Sequence, residues 1–114
     1  MQFNNDIARQ LDIRHKLGDT FKPTLTFKDS TGAPIDLTAY DWTLNLADDT
    51  GAEVCVFDNI VQGGTTNSIV LNAPATLNQL PATAYRYELR YTNTANSEVR
   101  TILYGKFTII QSFQ

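Results

Sequence analysis

The sequence is short of the residues that most often carry chemistry. Its 114 residues include one cysteine, one histidine and one methionine. A single Cys55 excludes an intrachain disulfide, and one thiol fits a protein assembled in a reducing cytoplasm. A single His15 leaves any metal site to oxygens and one thiol. His15 lies between Arg14 and Lys16, whose charges discourage a cation, and is expected as an exposed strand-end residue. No apolar run approaches the roughly 20 residues that span a bilayer. The opening Met1-Gln2-Phe3-Asn4-Asn5-Asp6 is too polar for a secretory signal. Membranes are therefore not expected as partners. Nor are nucleic acids, because the net charge is −3.

Catalytic patterns are missing as well. Gly63-Gly64 lacks the Lys-Ser/Thr and the helix that a phosphate loop requires. There is no Gly-x-Ser-x-Gly elbow. Cys55 sits among Val54, Val56 and Phe57, and its nearest charges are Glu53 and Asp58, the opposite of what activates a thiol. It reads as a small hydrophobe, buried or half-buried. Asp48-Asp49-Thr50-Gly51 lacks the spaced acidic ligands of a calcium loop and reads as a hairpin tip. The expectation is a protein that is not an enzyme and carries no cofactor or metal.

What the sequence does have is alternation. In Tyr85-Arg86-Tyr87-Glu88-Leu89-Arg90-Tyr91 the odd positions are apolar or aromatic and the even ones charged. That is a strand with one face on a core and one in water. Tyr85, Tyr87 and Tyr91 are expected inside, since aromatics dominate sandwich interiors. Trp42-Thr43-Leu44-Asn45-Leu46 and Thr24-Leu25-Thr26-Phe27 alternate in the same way, and Ser68-Ile69-Val70-Leu71-Asn72 reads as a short strand buried more evenly. Leu11-Asp12-Ile13-Arg14 starts the first strand. Asp29-Ser30-Thr31-Gly32, Asp48-Asp49-Thr50-Gly51, a flexible Gly63-Gly64-Thr65-Thr66-Asn67 and Asn93-Thr94-Ala95-Asn96 punctuate these runs. Turns recur at about the 8–12-residue spacing expected of sandwiches and barrels. One short helical turn fits residues 74–80, between Pro74 and Pro81. The organisation is an N-terminal arm over 1–10 and a single domain over 11–114.

Charge is unevenly placed. Residues 29–58 hold seven acids and no base, whereas 1–28 hold five bases and three acids and 59–114 hold four bases and two acids. Solvated aspartates at loop tips account for this. A sharper alternative is an acidic edge that docks on the basic edge of a neighbouring subunit.

Several short motifs also fall in a particular order. Gly18-Asp19-Thr20-Phe21 precedes the Leu25/Phe27 strand, and Asp29-Ser30-Thr31-Gly32-Ala33-Pro34-Ile35-Asp36-Leu37-Thr38 precedes the Trp42 strand. Ile102-Leu103-Tyr104-Gly105-Lys106-Phe107-Thr108-Ile109 closes the series. Over about residues 13–110 this order resembles the immunoglobulin-like N-terminal domain of tailed-phage baseplate upper proteins and similar small tail and baseplate sandwiches. The resemblance implies an all-β, immunoglobulin-like antiparallel β-sandwich of about 7–8 strands. It further implies a structural virion protein of a tailed phage or prophage, made in the host bacterial cytoplasm. In that family the sandwich heads a longer chain with a fibre-forming region. The sequence here stops at Gln114, so the expected part is an adaptor, decoration or neck-type subunit. Its partners would be other virion proteins or further copies of itself. The expected contacts are Phe3 and Ile7 of the arm and the charged row Arg86, Glu88 and Arg90. The alternative is a carbohydrate- or receptor-binding module using Tyr40, Trp42 and Tyr104 as exposed aromatics.

Overall fold

A computed structural model describes residues 9–28 and 31–111. Phe3 and Ile7 lie outside the described residues. The strands are β1 (Arg9–Gln10), β2 (Ile13–Lys16), β3 (Thr24–Thr26), β4 (Tyr40–Ala47), β5 (Glu53–Phe57), β6 (Asn59–Gln62), β7 (Ser68–Asn72), β8 (Ala84–Asn93) and β9 (Val99–Ile110). They form two sheets. The larger has the order β1-β9-β8-β4-β5, with β2 also on β9, and the smaller has the order β3-β7-β6. The chain is an immunoglobulin-like β-sandwich: three hairpin pairs (β4–β5, β6–β7, β8–β9) are joined by pairings between strands far apart in sequence, such as β3–β7, β4–β8 and β1–β9, and the chain changes sheets between β2 and β3, β3 and β4, β5 and β6, and β7 and β8.

The expected strand count holds once β1 and β2 are taken as one edge strand broken at Leu11-Asp12. One expectation needs correction: the sandwich is not wholly antiparallel. Both β1 and β2 run parallel to β9, with Ile13 opposite Phe107 and Lys16 opposite Ile110. Arg9 and Gln10, assigned above to the arm, are strand residues. The parallel edge exists because the chain leaves β2 for the other sheet instead of turning back beside it.

Alternation drives the packing. On β4, Trp42, Leu44 and Leu46 are buried, and on β8 so are Tyr85, Tyr87, Leu89 and Tyr91. Leu44 stands opposite Leu89 and Phe57, and Leu89 opposite Leu103, so apolar residues meet in rows across four strands. Each fully buried Leu or Phe contributes roughly 1.5–3 kcal/mol relative to an exposed one. Phe57, Leu44, Leu71, Leu89 and Phe107 form the centre. At one end Trp42 packs against Phe27 and Tyr91, with ring centroids 5.5 and 5.7 Å apart.

At the other end a corner is pinned by Tyr85, whose hydroxyl donates to the Pro81 carbonyl at 2.8 Å. This is the tyrosine corner of immunoglobulin-like sandwiches, set at the start of the strand that follows the sheet-to-sheet crossover. The segment before it is a 3-10 turn, Ala75–Gln79, with Leu77 buried and no side-chain cap. Pro81 cannot continue the helix and disfavours a helical conformation at the residue before it, and Leu80 is extended there.

Two turns follow from aspartate chemistry. Asp48 Oδ1 accepts from the Thr50 and Ala52 N–H groups and the Thr50 hydroxyl at 2.9, 3.0 and 2.6 Å, and Gly51 takes φ +89°. Asp36 Oδ1 accepts from the Thr38 N–H and hydroxyl at 3.0 and 2.8 Å, while Leu37 is buried. The Gly63–Asn67 loop is tied rather than loose: Asn67 is buried and donates to the Phe27 carbonyl at 3.0 Å, and Gly63 N–H reaches the Ser68 carbonyl at 2.8 Å.

Candidate functional site

The outward face of the larger sheet gathers the polar side chains that the core does not use. Arg86, Glu88 and Arg90 all point outward from β8 and are exposed, as alternation requires. Pairing brings them neighbours from distant parts of the chain. One row across the sheet reads Glu53, Ala47, Arg86, Lys106, and the next reads Val56, Asn45, Glu88, Tyr104, Gln10. Residues directly opposite on paired strands have Cβ atoms about 5 Å apart.

Within these rows the acids are engaged. Glu88 pairs with Arg90, and Glu53 accepts from the Asn45 side-chain amide. Asp12, from the break between β1 and β2, accepts the Lys106 N–H at 3.0 Å. Two bases are not matched in this way: among the described residues neither Arg86 nor Lys106 has an ion-pair partner, although they face each other across the β8–β9 pairing. Like charges directly opposite in a sheet repel.

Ala47 is the smallest side chain in its row, and it leaves a trough of about 610 Å³ between Glu53 on one side and Arg86 and Lys106 on the other. Gly105 forms part of the same floor for a different reason. A Cβ there would lie 2.6 Å from the Leu11 carbonyl oxygen, so only glycine lets the β1–β2 break cross β9 so closely. That carbonyl also accepts from the Tyr87 hydroxyl. Burial pushes the Tyr87 hydroxyl up to about 12, helped by the negative charge of Asp12, so it stays a donor.

The aromatics expected as a binding platform divide. Trp42 is 6% exposed and Tyr40 is half-buried against Tyr91, with ring centroids 4.3 Å apart, so both serve the core. Tyr104 is 42% exposed and lines the trough.

His15 is a correction. It is 4% exposed and packs edge-on against Phe21 at 5.3 Å. Its Nε2 donates to Asn78 Oδ1 at 2.8 Å, which links β2 to the 3-10 turn. The charged neighbours Arg14 and Lys16 point to solvent, and the same period of two turns His15 inward beside Ile13.

Cys55 is buried, with its sulfur 3.6 Å from the Thr76 hydroxyl. Burial raises its pKa, the Thr76 contact opposes this, and Glu53 adds to the rise. Asp48 and Asp36 are held below the ordinary carboxylate range by the bonds they accept, chiefly from the Thr50 hydroxyl and the Thr38 N–H respectively. Each thus commits its Oδ1 to a turn. Among the described residues no group of three or more His, Cys, Asp or Glu could hold a metal ion, and no helix is long and apolar enough to cross a membrane.

Arg86, Glu88 and Arg90 were therefore legible as an outward row, whereas Ala47, Asn45, Tyr104 and Lys106 join them only through register. No single segment of sequence carries a signal for that grouping.

No family model and no curated protein matches this chain. Among solved structures, CopC from Methylosinus trichosporium OB3b is similar at 14% identity and a TM-score of 0.51, over 90% of this chain and 88% of that one. At that identity the likeness shows the fold alone, and it agrees with a β-sandwich.

Proposed function

We propose that this chain is a structural, non-enzymatic component of a tailed-phage or prophage virion, working through protein–protein contacts as a tail, baseplate, neck or decoration subunit. The observation that carries this role is the open edge of the larger sheet at β5. Among the described residues only β4 pairs with it, and Glu53-Val54-Cys55-Val56-Phe57 contains neither the Lys nor the Pro that commonly blunts an edge. An edge of Val, Cys, Val and Phe is a template for a strand of a neighbouring protein. The motif order from Gly18-Asp19-Thr20-Phe21 to Tyr104-Gly105-Lys106 supplies the link to phage assembly. Mass spectrometry of purified virions tests this role: the chain is expected at structural stoichiometry, and its absence overturns the proposal.

Tyr104 favours a second reading, a carbohydrate- or receptor-binding module. It is the one candidate aromatic of the three that stands exposed beside a concave surface. Glycan-array binding is the direct test of that reading.

A further inference from the structure

We infer that the trough on the outer face is a binding site for an acidic saccharide, with the ligand's carboxylate or sulfate held between Arg86 and Lys106. This rests on the second reading above and adds the ligand class.

Three features converge on it. First, Arg86 and Lys106 are directly opposite in the β8–β9 register and have no ion-pair partner among the described residues. Two cations about 5 Å apart at Cβ repel, and the three carboxylates that also line the trough are turned to other partners: Glu88 to Arg90, Glu53 to the Asn45 amide and Asp12 to the Lys106 N–H. A sheet that keeps such a pair breaks a local stability rule, and broken rules of this kind mark functional positions. Second, the space beside them is already shaped. Ala47 opens the floor of a trough of about 610 Å³, within the roughly 300–1,000 Å³ of sites for small ligands. Third, the remaining walls suit a sugar. Tyr104 offers an exposed ring on which an apolar sugar face can stack. On the far side of Ala47, Glu53 already accepts from Asn45 and has lone pairs left for hydroxyl groups.

The division of labour follows. Arg86 and Lys106 read the acid, Glu53 and Asn45 read hydroxyls, and Tyr104 sets the ring. A neutral sugar would leave the two cations facing each other, so discrimination comes from charge and weakens with salt.

An array of uronate, sialylated, sulfated and neutral oligosaccharides, probed with the full chain, tests the inference. Acidic members are expected to bind, at least tenfold more tightly than neutral ones of equal length. Arg86→Gln with Lys106→Gln should lose at least tenfold for the best acidic ligand. Tyr104→Ala should also weaken it, while Arg14→Gln leaves it unchanged. Far-ultraviolet circular dichroism and a melting curve confirm that each variant folds. Equal binding of neutral and acidic members overturns the acidic-ligand inference and leaves the saccharide reading standing. Failure of every saccharide overturns both. Displacement of the best saccharide by oligoglutamate at equal charge concentration overturns the inference too, since the trough would then be reading charge alone.

Discussion

The two faces of β8 answer to different rules. Tyr85, Tyr87, Leu89 and Tyr91 point inward, and each is 5% exposed or less. Arg86, Glu88 and Arg90 point outward and are exposed. The inner face is fixed by volume: every side chain there meets a partner from the opposite sheet or the neighbouring strand, and a one-residue slip would expose all of them. The outer face is under no such constraint, yet it is not random. It places a base opposite a base at Arg86 and Lys106, and a small residue where a large one would fit at Ala47. What stability dictates is therefore visible on one face, and what stability leaves unexplained is concentrated on the other.

Substitutions can break or sharpen this contrast. The largest effect is expected inside. Phe107→Ala removes a ring with no solvent exposure and should cost about 3–5 kcal/mol, read from the urea midpoint at unchanged slope. Tyr85→Phe keeps the ring and removes only the bond to Pro81, so about 1 kcal/mol is expected from the same measurement. A cost as large as that of Phe107→Ala would mean the corner organises the sheet crossover itself. Outside, the sign reverses. Lys106→Gln relieves the repulsion with Arg86 and should stabilise by about 0.2–1 kcal/mol. For a domain of this size that raises the melting temperature by roughly 1–4 °C. A fall would show that Lys106 already has a compensating partner.

The smallest change belongs to the sheet's rim. Asp48 has a folded pKa below its ordinary value of 3.8, so its contribution is complete above the unfolded value. That contribution is lost as pH falls through the folded value. The stability difference between the wild type and Asp48→Asn should therefore be constant near neutrality and shrink below about pH 4. A difference that persists unchanged to pH 2 would show that the charge of Asp48 contributes nothing to the turn.

Much of the fold was legible in the residues because it is local. The alternation in 85–91 and 42–46 placed two central strands and their faces, and Asp48-Asp49-Thr50-Gly51 placed the hairpin between β4 and β5. Where the expectations failed, the deciding partner was far away. His15 was expected in water because its sequence neighbours are charged. It is buried because Phe21, Phe107 and Asn78 surround it. The parallel pairing of β2 with β9 joins residues 94 positions apart, as with Ile13 and Phe107. The trough is the same kind of object: Glu53, Ala47, Arg86 and Lys106 form a row only after three strand pairings have been set.

The parallel edge has a mechanical consequence. Ile13–Lys16 and Phe107–Ile110 lie side by side and run the same way. Tension applied through the chain before Ile13 and after Ile110 pulls the two strands past each other along their length. Their hydrogen bonds then share the force as a group, whereas a hairpin pulled from its open end unzips one bond at a time. Force must shear this clamp before it can reach the core, so the domain pulled from these two ends would resist as a unit and yield abruptly.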